Sequence, residues 1–458
     1  MTNPLGRLGQ TLGPGFQKIA KSFSWLLLER LVVMGTALTV GIYTVRYLGA
    51  AQFGKLSYAY SFVNIFEGLA KLGLDSVVIR NLVQNAQPKE KILGATFTLK
   101  SCALLGAVGI SIGSFLSFNA DPTTNLLLII IAFSLLFNSL DGIDFWFQSQ
   151  VMSQKVAQVR IGQFIISSVL KLTFIYFQLS VIFFAGLYVL ENALRALGFL
   201  WMYRRGKENI LHWRWDKKMA GDLLRGSWPL ILSSMMIILY MRVDQVMLGI
   251  IAGAKAVGLY SAAIRFSEIW YFIPAIICSS IFPSVIKAKA LSAEIYHRRL
   301  QYLYDFLVWL SLLLALGVSL VAYPLIDFLL GADFRPSALI LIVHVWSLPF
   351  VFLGVARSQW LIVENSTQFS FVTTSLGAVA NILLNLWLIP PYAGVGAALA
   401  TLISYGIASY LSAAFFAPTR PSFRQMTQAL FIPLRWRQNQ IYLGKLRTLL
   451  RRSSAPKI

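Results

Sequence analysis

Eight basic side chains, Arg30, Lys71, Lys100, Lys171, Arg195, Arg242, Arg265 and Arg357, lie inside long apolar stretches of this 458-residue chain. Acidic residues sit close to several of them, namely Glu29, Glu67, Glu191, Asp244 and Glu268. A basic group at the centre of a membrane helix costs about 2.5–3.5 kcal/mol of insertion. So many of them cannot all face lipid; they must pair across helices or line a wet cavity. Guanidinium groups bind phosphate oxygens two at a time. A cavity lined by Arg30, Lys171, Arg195, Arg242 and Arg265 would therefore suit a phosphorylated group. Asp244, Glu268 and Glu191 would then balance that charge or bind Na⁺ or H⁺.

Pairing is the competing use of the same residues. Glu67 with Lys71 and Glu191 with Arg195 stand four apart in the favoured order, and Arg265 with Glu268 three apart. Arg242 and Asp244, two apart, need partners on other helices, and Lys171 has no acid within reach on its own helix. Lys71, Lys100 and Arg357 fall near span ends, where their heads are expected to snorkel. Asn64, Asn138, Asn192, His344, Asn381 and Asn385 read as interhelical hydrogen-bonding groups. Cys102 and Cys278 read as packing residues. No Walker loop, GxSxG, HExxH or paired-cysteine motif occurs, so neither an enzyme nor a bound cofactor or metal is expected.

These residues can be positioned only by membrane helices. The chain is 57% hydrophobic and 13% charged, against about 45–50% and about 25% in soluble proteins. Apolar stretches of spanning length fall near 26–46, 56–76, 92–118, 124–146, 156–178, 180–203, 227–251, 257–285, 300–323, 336–363, 366–390 and 393–417. With the N-terminus inside, the inner segments hold 28 of the 40 Lys and Arg. The outer segments hold four: Arg46, Lys55, Lys255 and Arg335. That asymmetry places both termini in the cytoplasm. It also explains the net charge of +22 without nucleic acid, although an anionic substrate is compatible with it. The expected organisation is a cytoplasmic segment 1–25, an N-lobe 26–203, a cytoplasmic linker 204–226, a C-lobe 227–417 and a basic cytoplasmic tail 418–458. Linker and tail are expected to lie on the anionic leaflet.

Residues 49–62 and 253–266 match without gaps at a constant offset of 204, with six identities in fourteen: Gly49/Gly253, Ala50/Ala254, Gly54/Gly258, Ser57/Ser261, Ala59/Ala263 and Phe62/Phe266. Six spans separate them, so the repeats share one orientation. An all-α polytopic protein of about twelve helices in two parallel six-helix lobes follows, a known transporter plan.

The segment Arg46-Tyr47-Leu48-Gly49 through Phe53-Gly54 resembles the opening hairpin of bacterial polysaccharide-unit (O-antigen and exopolysaccharide) flippases. These belong to the multidrug/oligosaccharidyl-lipid/polysaccharide exporter superfamily. Ser227-Trp228-Pro229, Arg242-Val243-Asp244-Gln245-Val246-Met247-Leu248-Gly249 and Val257-Gly258-Leu259-Tyr260-Ser261-Ala262-Ala263 resemble it more strongly. Asn381 to Pro390 and Gly394-Val395-Gly396-Ala397-Ala398 are similar to the family's last two helices. The likeness spans residues 20–417. It implies a V-shaped pair of six-helix bundles in the bacterial cytoplasmic membrane. It also implies alternating access, a polyprenyl-pyrophosphate-linked oligosaccharide as cargo, and polysaccharide polymerase or assembly proteins as partners. Arg242 and Asp244 recur as a charged motif in the family, without an assigned ligand. An ion-coupled multidrug exporter of the same superfamily and a non-transporting scaffold for glycan assembly stay open as alternatives.

Overall fold

A computed structural model describes residues 14–84, 87–116, 121–364, 366, 368–442 and 444. Among them every regular element is helical: α1 (Pro14–Ala70), α2 (Leu74–Gln84), α3 (Lys89–Leu116), α4 (Pro122–Ser134), α5 (Gly142–Ser149), α6 (Ser153–Tyr176), α7 (Val181–Arg205), α8 (Lys217–Glu268), α9 (Phe272–Leu291), α10 (Ala293–Leu329), α11 (Pro336–Val345), α12 (Leu348–Val363), α13 (Gln368–Gly406), α14 (Ser412–Phe415) and α15 (Arg420–Leu430). A 3₁₀ stretch, Leu135–Asp141, joins α4 to α5 in one crossing. Three long helices break at one residue each, at Gly49 in α1, Gly253 in α8 and Ala393 in α13. Among the described residues eight helical stretches are long and apolar enough to cross a membrane, those of α8 and α13 each containing one of these breaks, and a crossing on either side of each break is compatible with the expected twelve. Pro390 and Pro391 stand just before the Ala393 break, and Pro349 lies in the first turn of α12. Pro274 lies in the first turn of α9.

The repeat is visible in the backbone. Gly49 has φ 66°, ψ 169° and Gly253 φ 82°, ψ 171°, a region essentially reserved for glycine. The same unusual turn thus stands at both equivalent positions. Five residues on, Gly54 and Gly258 pack reciprocally. A Cβ on Gly54 would strike the Ala254 carbonyl and lie 2.9 Å from Gly258 N. A Cβ on Gly258 would strike the Ala50 carbonyl and lie 3.1 Å from Gly54 N.

From this point the second crossing of α1 and the first crossing of α8 run antiparallel in register. Tyr58 lies over Gly249, Ile238 over Gly68, Leu230 and Ile231 over Gly73, and Val77, at the start of α2, over Gly226. Midway, Ser61 Oγ donates to Gln245 Oε1 at 2.6 Å, both buried. Small residues let the helices approach, and the Ser61–Gln245 hydrogen bond helps fix their register.

The chain divides into two compact units, Met1–Gly258 with Leu329–Asp333, and Leu259–Phe328 with Phe334–Ile458. The seam above binds the first crossing of α8 to α1, which accounts for the division after Gly258. The first unit has a core of α2, α3, α5, α6, α7 and α8 residues, including Leu74, Leu93, Ile143, Phe199 and Leu223. The second has its core around Leu300, Tyr304, Phe352 and Trp360. There α15 lays Met426 and Ala429 into that core, and Tyr442 donates to Asp305 Oδ2 at 2.6 Å. The tail residues Lys445, Arg447, Arg451 and Arg452 lie outside the described residues, as does most of the segment 1–25.

Ion pairs join several loops and helix ends. Lys89 meets Glu208 at 2.5 Å, Lys91 meets Asp216 at 2.9 Å, and Lys289 meets Glu364 at 2.9 Å. All six residues belong to loops or helix ends assigned to the inner face. Lys55 meets Asp121 at 2.9 Å and Arg335 meets Asp327 at 3.9 Å on the opposite face. None of these pairs joins segments assigned to different sides.

Candidate functional site

Within the first unit four helices enclose a polar chamber of about 210 Å³. The second crossing of α1 contributes Tyr60, Val63, Asn64 and Glu67. Helix α4 and its 3₁₀ continuation contribute Ile131, Ser134, Leu135 and Asn138; α6 contributes Gln163; α7 contributes Tyr188, Glu191, Asn192 and Arg195. The spacings three, four and seven put each set on one face of its helix. Asn138 lies in the 3₁₀ stretch Leu135–Asp141 that continues α4.

The chamber wall is hydrogen-bonded in three groups. Arg195 Nη2 donates to Asn138 Oδ1 at 2.6 Å. Asn138 Nδ2 donates to Glu67 Oε1 at 3.3 Å, and Asn64 Nδ2 to Glu67 Oε2 at 3.0 Å. Lys71 closes on Glu67 at 3.2 Å. Asn192 Nδ2 donates to the Ser134 carbonyl at 3.2 Å and to its Oγ at 3.1 Å. Lys171 Nζ holds Glu191 Oε1 at 2.8 Å, and Ser167 Oγ donates to the same oxygen. The rings of Tyr60 and Tyr188 stack at 5.1 Å, and the Arg242 guanidinium lies 5.8 Å from the Tyr60 ring. Two carboxylates and one guanidinium thus face the space, each carboxylate with its own lysine.

Of the side chains expected to line a cavity, Arg195 and Glu191 do so. Lys171 stands behind Glu191, and Arg242 reaches Tyr60. Arg30 is exposed on α1. Asp244 is buried beside the seam residue Gln245. Arg265, exposed, and Glu268, half-buried, belong to the second unit. The pairing within α7 gives way: Glu191 is taken by Lys171 from α6 and Arg195 by Asn138, because both partners approach from neighbouring helices. The pairing of Glu67 with Lys71 is present. Glu29 lies 3.7 Å from Arg160, which also reaches Asp144 at 2.7 Å.

Two expectations need correction. Lys100 does not snorkel; it is 1% exposed, ion-paired with Asp141 at 2.8 Å and set 5.0 Å from the Phe145 ring. Arg357 is likewise buried, donating to Thr373 Oγ1 at 2.8 Å, the Ala408 carbonyl at 3.0 Å and Ser412 Oγ at 3.4 Å. In both cases a polar partner at the same depth makes snorkelling unnecessary. Cys102 is exposed rather than packed, whereas Cys278 is buried. In the second unit Asn381 donates to Ser404 Oγ at 3.2 Å, Asn385 to Asn381 at 3.0 Å, and His344 Nδ1 lies 2.6 Å from Ser267 Oγ. Asn381 and His344 do tie helices together, as expected, whereas Asn385 bonds within its own crossing.

Tyr60, Tyr188, Gln163 and Asp141 were not singled out from sequence. A readable signal existed: Tyr60-Asn64-Glu67-Lys71 and Tyr188-Asn192-Arg195 are polar and aromatic stripes at helical spacing through apolar spans.

The elements and the polar chamber among them define a multipass all-helical membrane protein. Residues 19–289 match the family described as "Polysaccharide biosynthesis protein", and the chain belongs to that family. It is 22% identical over 393 residues to the Haloferax volcanii protein named "Probable low-salt glycan biosynthesis flippase Agl15", across 81% of this chain and 78% of that one. Among solved structures it is similar to the lipid II flippase MurJ in an inward closed conformation, with TM-score 0.67 at 17% identity over 94% of this chain and 97% of that one. It is also similar to an inward-facing multidrug resistance MATE family transporter of the MOP superfamily, with TM-score 0.62 at 15% identity over 89% and 98%. The fold is therefore that of the superfamily which the sequence motifs resembled.

Proposed function

We propose that this protein flips a polyprenyl-pyrophosphate-linked oligosaccharide across the bacterial cytoplasmic membrane, both termini inside, for cell-surface polysaccharide synthesis. The observation that carries the reading is the polar, hydrogen-bonding chamber among the membrane helices of a member of a polysaccharide biosynthesis family. Hydrocarbon-facing helices have no use for such a chamber, and its lining is costly unless something polar enters. The relative named as a glycan biosynthesis flippase supports the same direction. The protein acts as a carrier, not a catalyst, and delivers to polymerase and assembly proteins outside. Arg30, Arg242 and Arg265 are each candidate partners for phosphate. Outward movement of a pyrophosphate is driven by a negative-inside potential, by about 2.3 kcal/mol per charge per 100 mV. Asp244 or Glu268 would serve any coupling to Na⁺ or H⁺.

A second reading, an ion-coupled exporter of amphipathic cations, draws on the two carboxylates and two stacked tyrosines of the chamber. It is weakened by the lysine on each carboxylate. Two assays separate the readings. Arg242→Ala, Arg265→Ala and Lys171→Ala are scored first for surface glycan and then for resistance to cationic dyes. Loss of glycan with unchanged dye resistance supports the flippase; the reverse supports the exporter.

A further inference from the structure

Four carboxamides, Asn64, Asn138, Asn192 and Gln163, surround the chamber beside the stacked pair Tyr60 and Tyr188. Each carboxamide offers two donors and an acceptor oxygen in fixed planar geometry. Sugar hydroxyls both donate and accept, and the C–H face of a pyranose packs on aromatic rings. A pyrophosphate asks for the opposite, a surplus of cationic donors. Here two carboxylates face the space against one guanidinium, and that guanidinium already spends a nitrogen on Asn138. The volume of about 210 Å³ falls below the roughly 300 Å³ at which drug-sized sites begin, so it admits one ring and not a disaccharide.

We propose that this chamber is a subsite for a single uncharged hexopyranose unit of the cargo, and that the phosphate is held elsewhere. The assignment rests on the flippase reading and names which part of the cargo this site selects. Gln163 and the carboxamide pair Asn138 and Asn192 set which hydroxyl pattern is accepted, while Tyr188 and Tyr60 supply the apolar platform. Lys71 and Lys171 pair with Glu67 and Glu191, and the Glu67 carboxylate orients the amides of Asn64 and Asn138.

The test uses the full chain in lipid nanodiscs, free of glycoside detergents, and saturation-transfer NMR. The probes are methyl glucoside, methyl galactoside, N-acetylglucosamine and inorganic pyrophosphate. At least one neutral sugar is expected to show transfer from the wild type. Gln163→Leu and Tyr188→Leu, on different helices, are each expected to weaken it about five-fold or more, the scale of one lost neutral hydrogen bond, without changing the pyrophosphate signal. No transfer from any sugar, transfer in both variants unchanged from the wild type, or loss of pyrophosphate instead of sugar overturns the assignment. The flippase reading is scored separately, by glycan export in cells. Export without sugar binding sinks only the subsite, whereas sugar binding without export sinks only the transport reading.

Discussion

Gly54 and Gly258, equivalent residues of the internal repeat, meet backbone to backbone, each filling the space where the other would carry a side chain. Overpacking of this kind typically costs about 1–3 kcal/mol, and here the obstacle is carbonyl backbone, which cannot rotate away. Gly54→Ala and Gly258→Ala should each lower the thermal midpoint of the purified protein. The double variant should lower it by less than both together, because one separation of the helices relieves both collisions. Size-exclusion profiles across a temperature series measure this; fully additive losses would mean the two sites are independent.

Lys171 separates two roles through its partner. If it neutralises Glu191, Lys171→Ala leaves a carboxylate facing the chamber and impairs glycan export, and Lys171→Ala with Glu191→Gln restores it. If Lys171 contacts phosphate directly, the double variant stays defective. Quantified surface glycan at matched protein levels decides between them.

Lys100 is the most deeply enclosed cation of the first unit, at 1% exposure against 23% for Asp141. Breaking a buried pair by removing one partner costs about 3–5 kcal/mol; the partial exposure of Asp141 brings the expectation toward the lower end. Lys100→Met should therefore sharply reduce accumulation of folded protein. Lys100→Met with Asp141→Leu should recover most of it, since an apolar pair fits the depth. Fluorescent fusion yields after detergent extraction provide the readout.

Asp121 caps α4 on the hairpin face. Its carboxylate accepts from Thr124 N at 3.3 Å, from Thr124 Oγ1 at 2.5 Å and from Lys55 at 2.9 Å. Burial by itself pushes its pKa up, but the hydrogen bonds from Lys55 and Thr124 outweigh it and hold the pKa below the ordinary 3.8. A lowered carboxylate stabilises the fold fully above its unfolded value, and that contribution disappears as pH falls through the folded one. Wild type should thus be more heat-stable than Asp121→Asn at pH 7. The two should converge in acid below the ordinary value, as shown by melting curves across a pH series.

Much of this architecture was legible because apolar length and local repeats are properties of single segments. The spans near 92–118, 156–178 and 180–203 correspond to α3, α6 and α7, and the repeat at 49–62 and 253–266 located both glycine turns. Partners across helices were not legible. Nothing in one helix says that Glu191 will face Lys171 instead of Arg195, or that Lys100 has Asp141 at its own depth, since those choices depend on helix rotation and packing. The chamber was half visible: its asparagines stood out as polar residues in apolar spans. Its tyrosines did not, because aromatic residues are common in membrane helices.

The central claim is that this chain carries a lipid-linked saccharide outward. The direct measurement is mass spectrometry of lipid-linked saccharides from a strain depleted of the protein, with their side of the membrane determined by accessibility to an impermeant glycosidase in intact spheroplasts. Accumulation of a complete repeating unit protected on the inner side, relieved by the wild-type chain, is the predicted result. An unchanged pool, or accumulation of units already exposed on the outer side, would contradict it.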